Sequence, residues 1–165
     1  MIWNLLIIGG VVVIFLVLVR HVPEAIKMEK IAKEEVPPEK ITMYGLLAQA
    51  DEAFEAQDFN KAENLYIKAC TQEPDNAKIY NCLGQIYLEQ GNFYDAKDAF
   101  LQTLKLASGN PETMMNLGIS YMGLKDYYKS SQTFRDALKI DPKNRKYEKL
   151  LERAEKALER ERKRK

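Results

Sequence analysis

The chain has 165 residues, which gives room for one domain of about 100 to 150 residues and an appendage, so a two-domain enzyme does not fit its length. Its 25 Lys and Arg nearly cancel its 24 Asp and Glu, and we therefore expect no specific nucleic-acid partner. Cys70 and Cys82 have no further Cys or His nearby. This pair fits neither a disulfide scaffold nor a zinc site, and we expect both to be small buried residues.

The N-terminus carries one long apolar run, from Ile2 to Val19, interrupted only by Asn4 and two glycines. As a helix, these eighteen residues would cover about 27 Å, close to the thickness of the bilayer core. A cleaved signal peptide would need a basic start, a shorter apolar core and a small-residue cleavage site, and none is visible around Arg20. The run predicts a transmembrane anchor over residues 1–20, with residues 2–19 in contact with the lipid bilayer.

Basic residues lie on one flank of this anchor only. None precedes it, whereas the next twenty or so residues contain Arg20, Lys27, Lys30, Lys33 and Lys40. The positive-inside rule then places the N-terminus outside and the rest of the chain in the cytoplasm; the extracytoplasmic side is the alternative. Residues 21–42 are charged and contain a Pro-Pro pair that no helix continues through, which predicts a tether.

The remaining sequence repeats itself with a period of 34 residues, which predicts a solenoid of supersecondary units at 43–76, 77–110 and 111–144. Small residues recur in two of the aligned columns and aromatic residues in two others. The columns include Ala50, Gly84 and Gly118; Ala62, Ala96 and Ser130; Tyr66, Phe100 and Phe134; and Phe59, Phe93 and Tyr127.

The second unit, AKIYNCLGQIYLEQGNFYDAKDAFLQTLKLASGN, closely resembles a tetratricopeptide repeat in its aromatic-x2-Leu-Gly-x2-Tyr start and in the Ala and Phe that follow. The resemblance implies two antiparallel helices per unit, at about 43–56 and 59–72, 77–90 and 93–106, and 111–124 and 127–140. Gly91 suits a left-handed position in the turn between the helices of its unit. The first unit departs from the pattern with Gln49 and Ala53, and the second has Ser108-Gly109 in place of its terminal proline.

After the third unit, residues 145–165 carry apolar side chains at spacings of three and four, with charges elsewhere. This pattern predicts an amphipathic helix that caps the solenoid and ends in a basic, solvated tail. The apolar side of the helix contains Tyr147, Leu150, Leu151, Ala154 and Leu158. The fold class expected is therefore all-α, with an N-terminal transmembrane helix, an α-solenoid of three helix-turn-helix repeats and a C-terminal capping helix.

Nothing in the sequence matches a common catalytic, nucleotide-binding or metal-binding motif, and the single histidine is His21. We expect no enzyme activity, no metal and no cofactor. In tetratricopeptide-repeat domains, the usual partner site is the concave face lined by the first helix of each repeat. By position, the resemblance assigns to it Tyr44, Leu47, Asp51 and Phe54 of the first repeat, Lys78, Asn81, Gln85 and Leu88 of the second, and Met115, Ile119 and Met122 of the third.

This face is expected to bind an apolar or amphipathic peptide of a partner protein. One subclass of the family binds the acidic tails of chaperones through a clamp of Lys, Asn and Arg; those positions here hold Leu47, Asp51, Cys82, Glu112 and Asn116, which disfavours that mode. We expect a membrane-anchored scaffold or adaptor that assists assembly of a membrane-associated complex. The alternatives are a structural membrane protein that self-associates into a homo-oligomer, an exported domain in envelope-complex assembly, and a groove occupied by the chain's own tether or capping helix.

Overall fold

A computed structural model describes residues 42–164. The chain divides after Ile41, and the described residues belong to the second unit. The predicted anchor and tether lie outside them, except for Thr42. Between residues 42 and 164, no helix combines the length and the apolar character needed to cross a membrane.

Seven α-helices and no strands make up the described residues, and each helix packs against the next one in the chain. The predicted bounds of the six repeat helices are reproduced to within one residue. The helices are α1 Met43–Glu55, α2 Phe59–Gln72, α3 Ala77–Glu89, α4 Phe93–Leu106, α5 Pro111–Gly123, α6 Tyr127–Ile140 and α7 Arg145–Arg164. The residues from Thr42 to Arg164 therefore form an all-α solenoid.

The turn inside each unit is the same structure three times. In the first, the N–H of Gln57 donates to the carbonyl of Phe54 and the N–H of Asp58 donates to that of Ala53, which is the Schellman arrangement. Asp58 then caps α2 by accepting the N–H of Lys61 at 3.1 Å. Such a turn needs a left-handed residue, and φ is positive at all three equivalent positions, which are Gln57, Gly91 and Lys125. The left-handed conformation expected for Gly91 is confirmed.

The junctions between units also repeat, because an asparagine caps the first helix of each following unit. Asn76 accepts the N–H of Lys78 and Asn110 accepts the N–H of Glu112. Gly109, with φ of 86°, and Pro111, in the first turn of α5, shape the second junction. The second repeat thus has no proline at its end, and a proline starts the next helix instead.

Small residues in one helix and aromatic rings in its partner form the core of each unit. Tyr66, Phe100 and Phe134 are 1% exposed or less. A Cβ added at Gly84 would lie 2.6 Å from the ring of Phe100, and one at Gly118 would lie 2.5 Å from the ring of Phe134. Because a real Cβ does not approach an atom so closely, these glycines set the distance between the two helices of their units.

Candidate functional site

The first helices of the units, α1, α3 and α5, carry the predicted site residues, and α3 contacts α5 directly. We call the surface that these predicted residues form the first-helix face, and we call their positions on the helices the outward positions. The predicted residues divide into a polar group on α1 and α3, an apolar group on the same two helices, and an apolar group on α5.

The polar group is organised around Asp51. The hydroxyl of Tyr66 donates to one carboxylate oxygen of Asp51, and the ammonium group of Lys78 lies 3.0 Å from the other. Burial alone would raise the pKa of Asp51, but these two hydrogen bonds outweigh it and hold the pKa below its usual value. The negative charge of Asp51 is therefore compensated by Lys78 rather than free to repel an acidic ligand.

Tyr66 is a hydrogen-bond partner of the predicted site that the sequence pattern assigned only to packing. Burial and the hydrogen bond to Asp51 raise its pKa, so the phenol stays protonated and serves as a donor. The available signal was that this aromatic column holds Phe100 and Phe134 in the other two units. A hydroxyl in a column of packing residues indicates a buried polar partner.

Asn81 and Gln85 continue the polar part of the face along α3. The side-chain oxygen of Asn81 accepts a hydrogen bond of 3.2 Å from the hydroxyl of Thr113, which is almost completely buried on α5. This bond ties α3 to α5 beneath the face. Gln85 is half-buried, and none of the hydrogen bonds found among residues 42–164 involves its side chain, so its amide remains available to a ligand.

The apolar group on α1 and α3 is partly accessible. Tyr44 is 82% exposed, whereas Leu47, Phe54 and Leu88 are half-buried. Phe54 packs edge-on against Phe59, with ring centroids 5.8 Å apart, and Leu88 packs against the core between the second and third units. All four side chains present apolar surface, and packing fixes the inner sides of Phe54 and Leu88.

The apolar group on α5 is in a different situation from the one expected. Met115 is only 4% exposed, and it belongs to one core cluster with Tyr147 and Ala154 of α7. Ile119 and Met122 are half-buried and pack against the same cluster. These three residues were expected to line an open groove. In the structure they pack against the C-terminal helix instead, because the apolar side of α7 needs a partner surface. For these three residues, this agrees with the alternative in which the capping helix occupies the groove.

Neither cysteine is fully buried, which differs from expectation. Cys70 and Cys82 are half-buried free thiols, and burial raises the pKa of Cys82. Within residues 42–164, no three His, Cys, Asp or Glu side chains are grouped so that they could hold a metal ion.

Comparisons with known proteins agree with this geometry. Family models for the TPR repeat and the tetratricopeptide repeat match residues 50–91, 77–110 and 111–144. Human protein O-mannosyl-transferase TMTC3 is 29% identical over 124 residues, which are 74% of this chain but 13% of that protein. The Hsp70-Hsp90 organising protein of Plasmodium falciparum is 24% identical over 61% of this chain and 40% of that protein. The chain thus spans less than half the length of either relative.

Solved structures match the same region. The Arabidopsis OM64 TPR domain has a TM-score of 0.65 at 23% identity, covering 69% of this chain and 94% of that one. The first TPR of Spaghetti (RPAP3), bound to the HSP90 peptide SRMEEVD, has a TM-score of 0.67 at 17% identity and covers 76% and 98%. These TM-scores establish a shared fold. Because the three family models together cover residues 50–144 without a gap, this chain belongs to the tetratricopeptide-repeat family.

Proposed function

We propose that the chain is a protein-interaction adaptor whose first-helix face binds an apolar or amphipathic segment of a partner protein. The observation that carries this proposal is the accessible apolar surface of α1 and α3, formed by Tyr44, Leu47, Phe54 and Leu88. An extended or helical peptide with apolar side chains would bury this surface, and the burial supplies the binding free energy.

Similar proteins support peptide binding in general. Two of the matching solved structures are complexes with chaperone segments: the first TPR of RPAP3 with an HSP90 peptide, and the TPR2B domain of yeast Sti1 with pHsp70. This chain differs at the positions of the carboxylate clamp, where Asp51 is engaged by Tyr66 and Lys78 and Asn116 is buried. Glu112 adds an exposed negative charge. These features favour apolar contacts over a chaperone-tail clamp.

The membrane location belongs to the same proposal. The apolar run of residues 2–19 and the lysines that follow it support an anchor with the repeats on the cytoplasmic side. A reporter fused after Lys165 measures the side: activity of a cytoplasmic reporter supports the proposed orientation, and activity of an extracytoplasmic reporter contradicts it.

A photo-crosslinking amino acid at Tyr44 tests the binding face in the full chain. We expect it to form an adduct with a defined segment of a partner, mapped by mass spectrometry, whereas the same crosslinker at the exposed Tyr128 of α6 does not. A synthetic peptide of the mapped segment then gives the affinity for purified chains. Leu88→Gln should weaken binding of this peptide about ten-fold, since it removes one apolar contact of roughly 1–2 kcal/mol.

The matched control is Leu101→Gln, because Leu101 is a partly exposed leucine on the second helix α4. It should leave the affinity unchanged. Equal losses for the two substitutions, or equal crosslinking at Tyr44 and Tyr128, would show that the first-helix face is not the site. Met115 is unsuitable for this test, because its side chain is buried and a polar replacement would destabilise the domain itself.

A further inference from the structure

The C-terminal helix α7 begins in the same way as the first helix of a repeat. The side chain of Asn144 accepts the N–H of Lys146 at 3.1 Å, and Asn76 accepts the N–H of Lys78 at the same distance. Asn110 caps α5 equivalently. The three asparagines are 34 residues apart, so α7 starts where a fourth repeat would start.

The buried side of α7 follows the same register. The third and tenth residues of α7, Tyr147 and Ala154, are buried in the core. The same two positions are buried in α3, at Ile79 and Ile86, and in α5, at Thr113 and Ser120. Thus α7 packs on the preceding unit as a first helix does, although no second helix follows it within the described residues.

A second observation agrees with this register, ten residues after Tyr147. Ala157 of α7 and Tyr127 of α6 line one cleft of about 350 Å³. In the preceding unit, Gly123 of α5 lies against the ring of Phe93 of α4, and the two pairs are related by the 34-residue period. The outward positions of α7 therefore correspond to those that form the first-helix face on α3 and α5.

All of these outward positions on α7 hold a basic residue. In α3 they are Lys78, Asn81, Gln85 and Leu88; in α7 they are Lys146, Lys149, Arg153 and Lys156, all exposed. We call these four residues of α7 the basic stripe. Four of the five glutamates of the helix, at positions 148, 152, 155 and 159, occupy a neighbouring side, because they follow the same three-and-four spacing with an offset. The basic stripe therefore lies beside this line of glutamates, and its last member, Lys156, reaches Glu152.

Stability of the helix does not account for the basic stripe. Lys146 and Lys149 lie near the N-terminus of α7, where the helix dipole disfavours positive charge. Along the part of the chain that is described, Lys156 pairs with Glu152, but no ion pair is formed by Lys146, Lys149 or Arg153. Residues that break a local rule without a compensating contact are the ones expected to serve a function.

We propose that the basic stripe binds acidic side chains of the same partner segment whose apolar side chains contact the first-helix face; this inference rests on the proposed function. Charge complementarity identifies the occupant as acidic, and its neighbours identify it as a polypeptide. Lys146 and Ile119 occupy the positions that Lys78 and Asp51 hold two units earlier, and Lys78 lies 3.0 Å from Asp51, so we expect Lys146 beside the half-buried Ile119. A phosphodiester chain has no apolar side chain to place there.

The polarity of the segment also follows. Glu112 is exposed on α5 and close enough to Tyr147 to contribute to its raised pKa, behind the effect of burial. A carboxylate of the ligand is therefore disfavoured at that end of the stripe and favoured over Lys149 and Arg153. The segment accordingly places its apolar residues over α1 and α3 and its acidic residues over the middle of α7.

Two labelled peptides test the proposal by fluorescence anisotropy with the full chain. Both have a leucine- and methionine-rich first half; the second half is rich in glutamate in one peptide and in glutamine in the other. We expect the glutamate peptide to bind about ten-fold more tightly. The triple variant Lys146→Gln, Lys149→Gln, Arg153→Gln should reduce its affinity to that of the glutamine peptide, and the affinity for the glutamine peptide should stay the same.

The matched control neutralises three exposed lysines of the second helices, Lys61, Lys68 and Lys105, with the same change in net charge. It should alter neither affinity. Equal binding of the two peptides, or equal losses in the two triple variants, would overturn the proposal. If Leu88→Gln weakens both peptides while the basic-stripe variant weakens neither, the proposed function stands and this inference fails; if none of the changes matters, both fail.

Two other anionic probes complete the experiment. A uridine oligonucleotide and vesicles with phosphatidylserine, compared with neutral phosphatidylcholine vesicles, measure attraction to nucleic acid and to lipid. The proposal requires that the basic-stripe variant lose more affinity for the glutamate peptide than for either probe. A larger loss for the oligonucleotide or the charged vesicles would reassign the stripe to that ligand.

Discussion

The turns inside the three repeats offer a direct test of backbone energetics, because equivalent turns carry different residues at one left-handed position. The φ angle is 60° at Gln57, 74° at Gly91 and 61° at Lys125. An L-residue in this conformation costs roughly 1–2 kcal/mol, whereas glycine loses roughly 0.5–1 kcal/mol more backbone entropy on folding. The difference favours glycine, so we expect Gln57→Gly to raise the free energy of unfolding by about 1 kcal/mol.

The reverse change, Gly91→Ala, should lower the free energy of unfolding by about the same amount. A Cβ at Gly91 would have no other described atom within 4 Å, so backbone strain is the only structural effect of this substitution. Urea unfolding of the full chains followed by circular dichroism measures both changes. For a chain of this size, 1 kcal/mol corresponds to a shift in Tm of about 2–4 °C.

The control for Gln57→Gly is Ala56→Gly, one residue earlier, where φ is −74° and alanine is unstrained. Glycine there should lower the stability by up to about 1 kcal/mol. A shift of the unfolding midpoint in the same direction for glycine at both positions would refute the cost assigned to the left-handed conformation of Gln57.

Three further predictions concern the core and the polar group. Gly118→Ala should lower the free energy of unfolding by about 1–3 kcal/mol, because the new Cβ overlaps the ring of Phe134; an unchanged midpoint in urea would contradict the close helix packing. Tyr66→Phe should cost about 1–2 kcal/mol by removing the donor to Asp51, and a variant as stable as the parent would show that this hydrogen bond is not formed. The folded pKa of Asp51 is depressed, so its contribution to stability is present above its unfolded pKa of about 3.8 and is lost as the pH falls through the lower folded value. The stability advantage of the parent chain over Asp51→Asn should therefore shrink in urea titrations below about pH 3.8. A difference that stays constant with pH would contradict this prediction.

The helices and turns of the repeats were predictable from sequence because their signals are local. The 34-residue period aligned small and aromatic residues, and the turn residues marked where each helix ends. Gly91 indicated a left-handed turn, and the shared hydrogen-bond pattern extends this conformation to Gln57 and Lys125, whose side chains gave no such signal. Backbone geometry repeats even where residue identity does not.

The state of the site residues was not predictable in the same way. Asp51 has an ordinary surface position in the repeat pattern, yet its charge is compensated by Lys78 of the next unit and by the buried Tyr66. Whether a carboxylate is free or engaged depends on side chains that lie 15 and 27 residues away in sequence. Periodicity places these residues on neighbouring helices but does not pair their atoms.

The sequence by itself determined the repeat length, the order of the helices and the residues on each helix face, since these depend on periodic patterns within one or two units. The tertiary structure alone decided which parts of the first-helix face remain open. Met115 occupies the same position in its unit as Asn81, but α7 packs onto it and buries it. The exposure of a residue in a solenoid is set by the next helix in the stack, and at the end of the repeats that helix is α7, whose seating on α5 is a property of the folded chain.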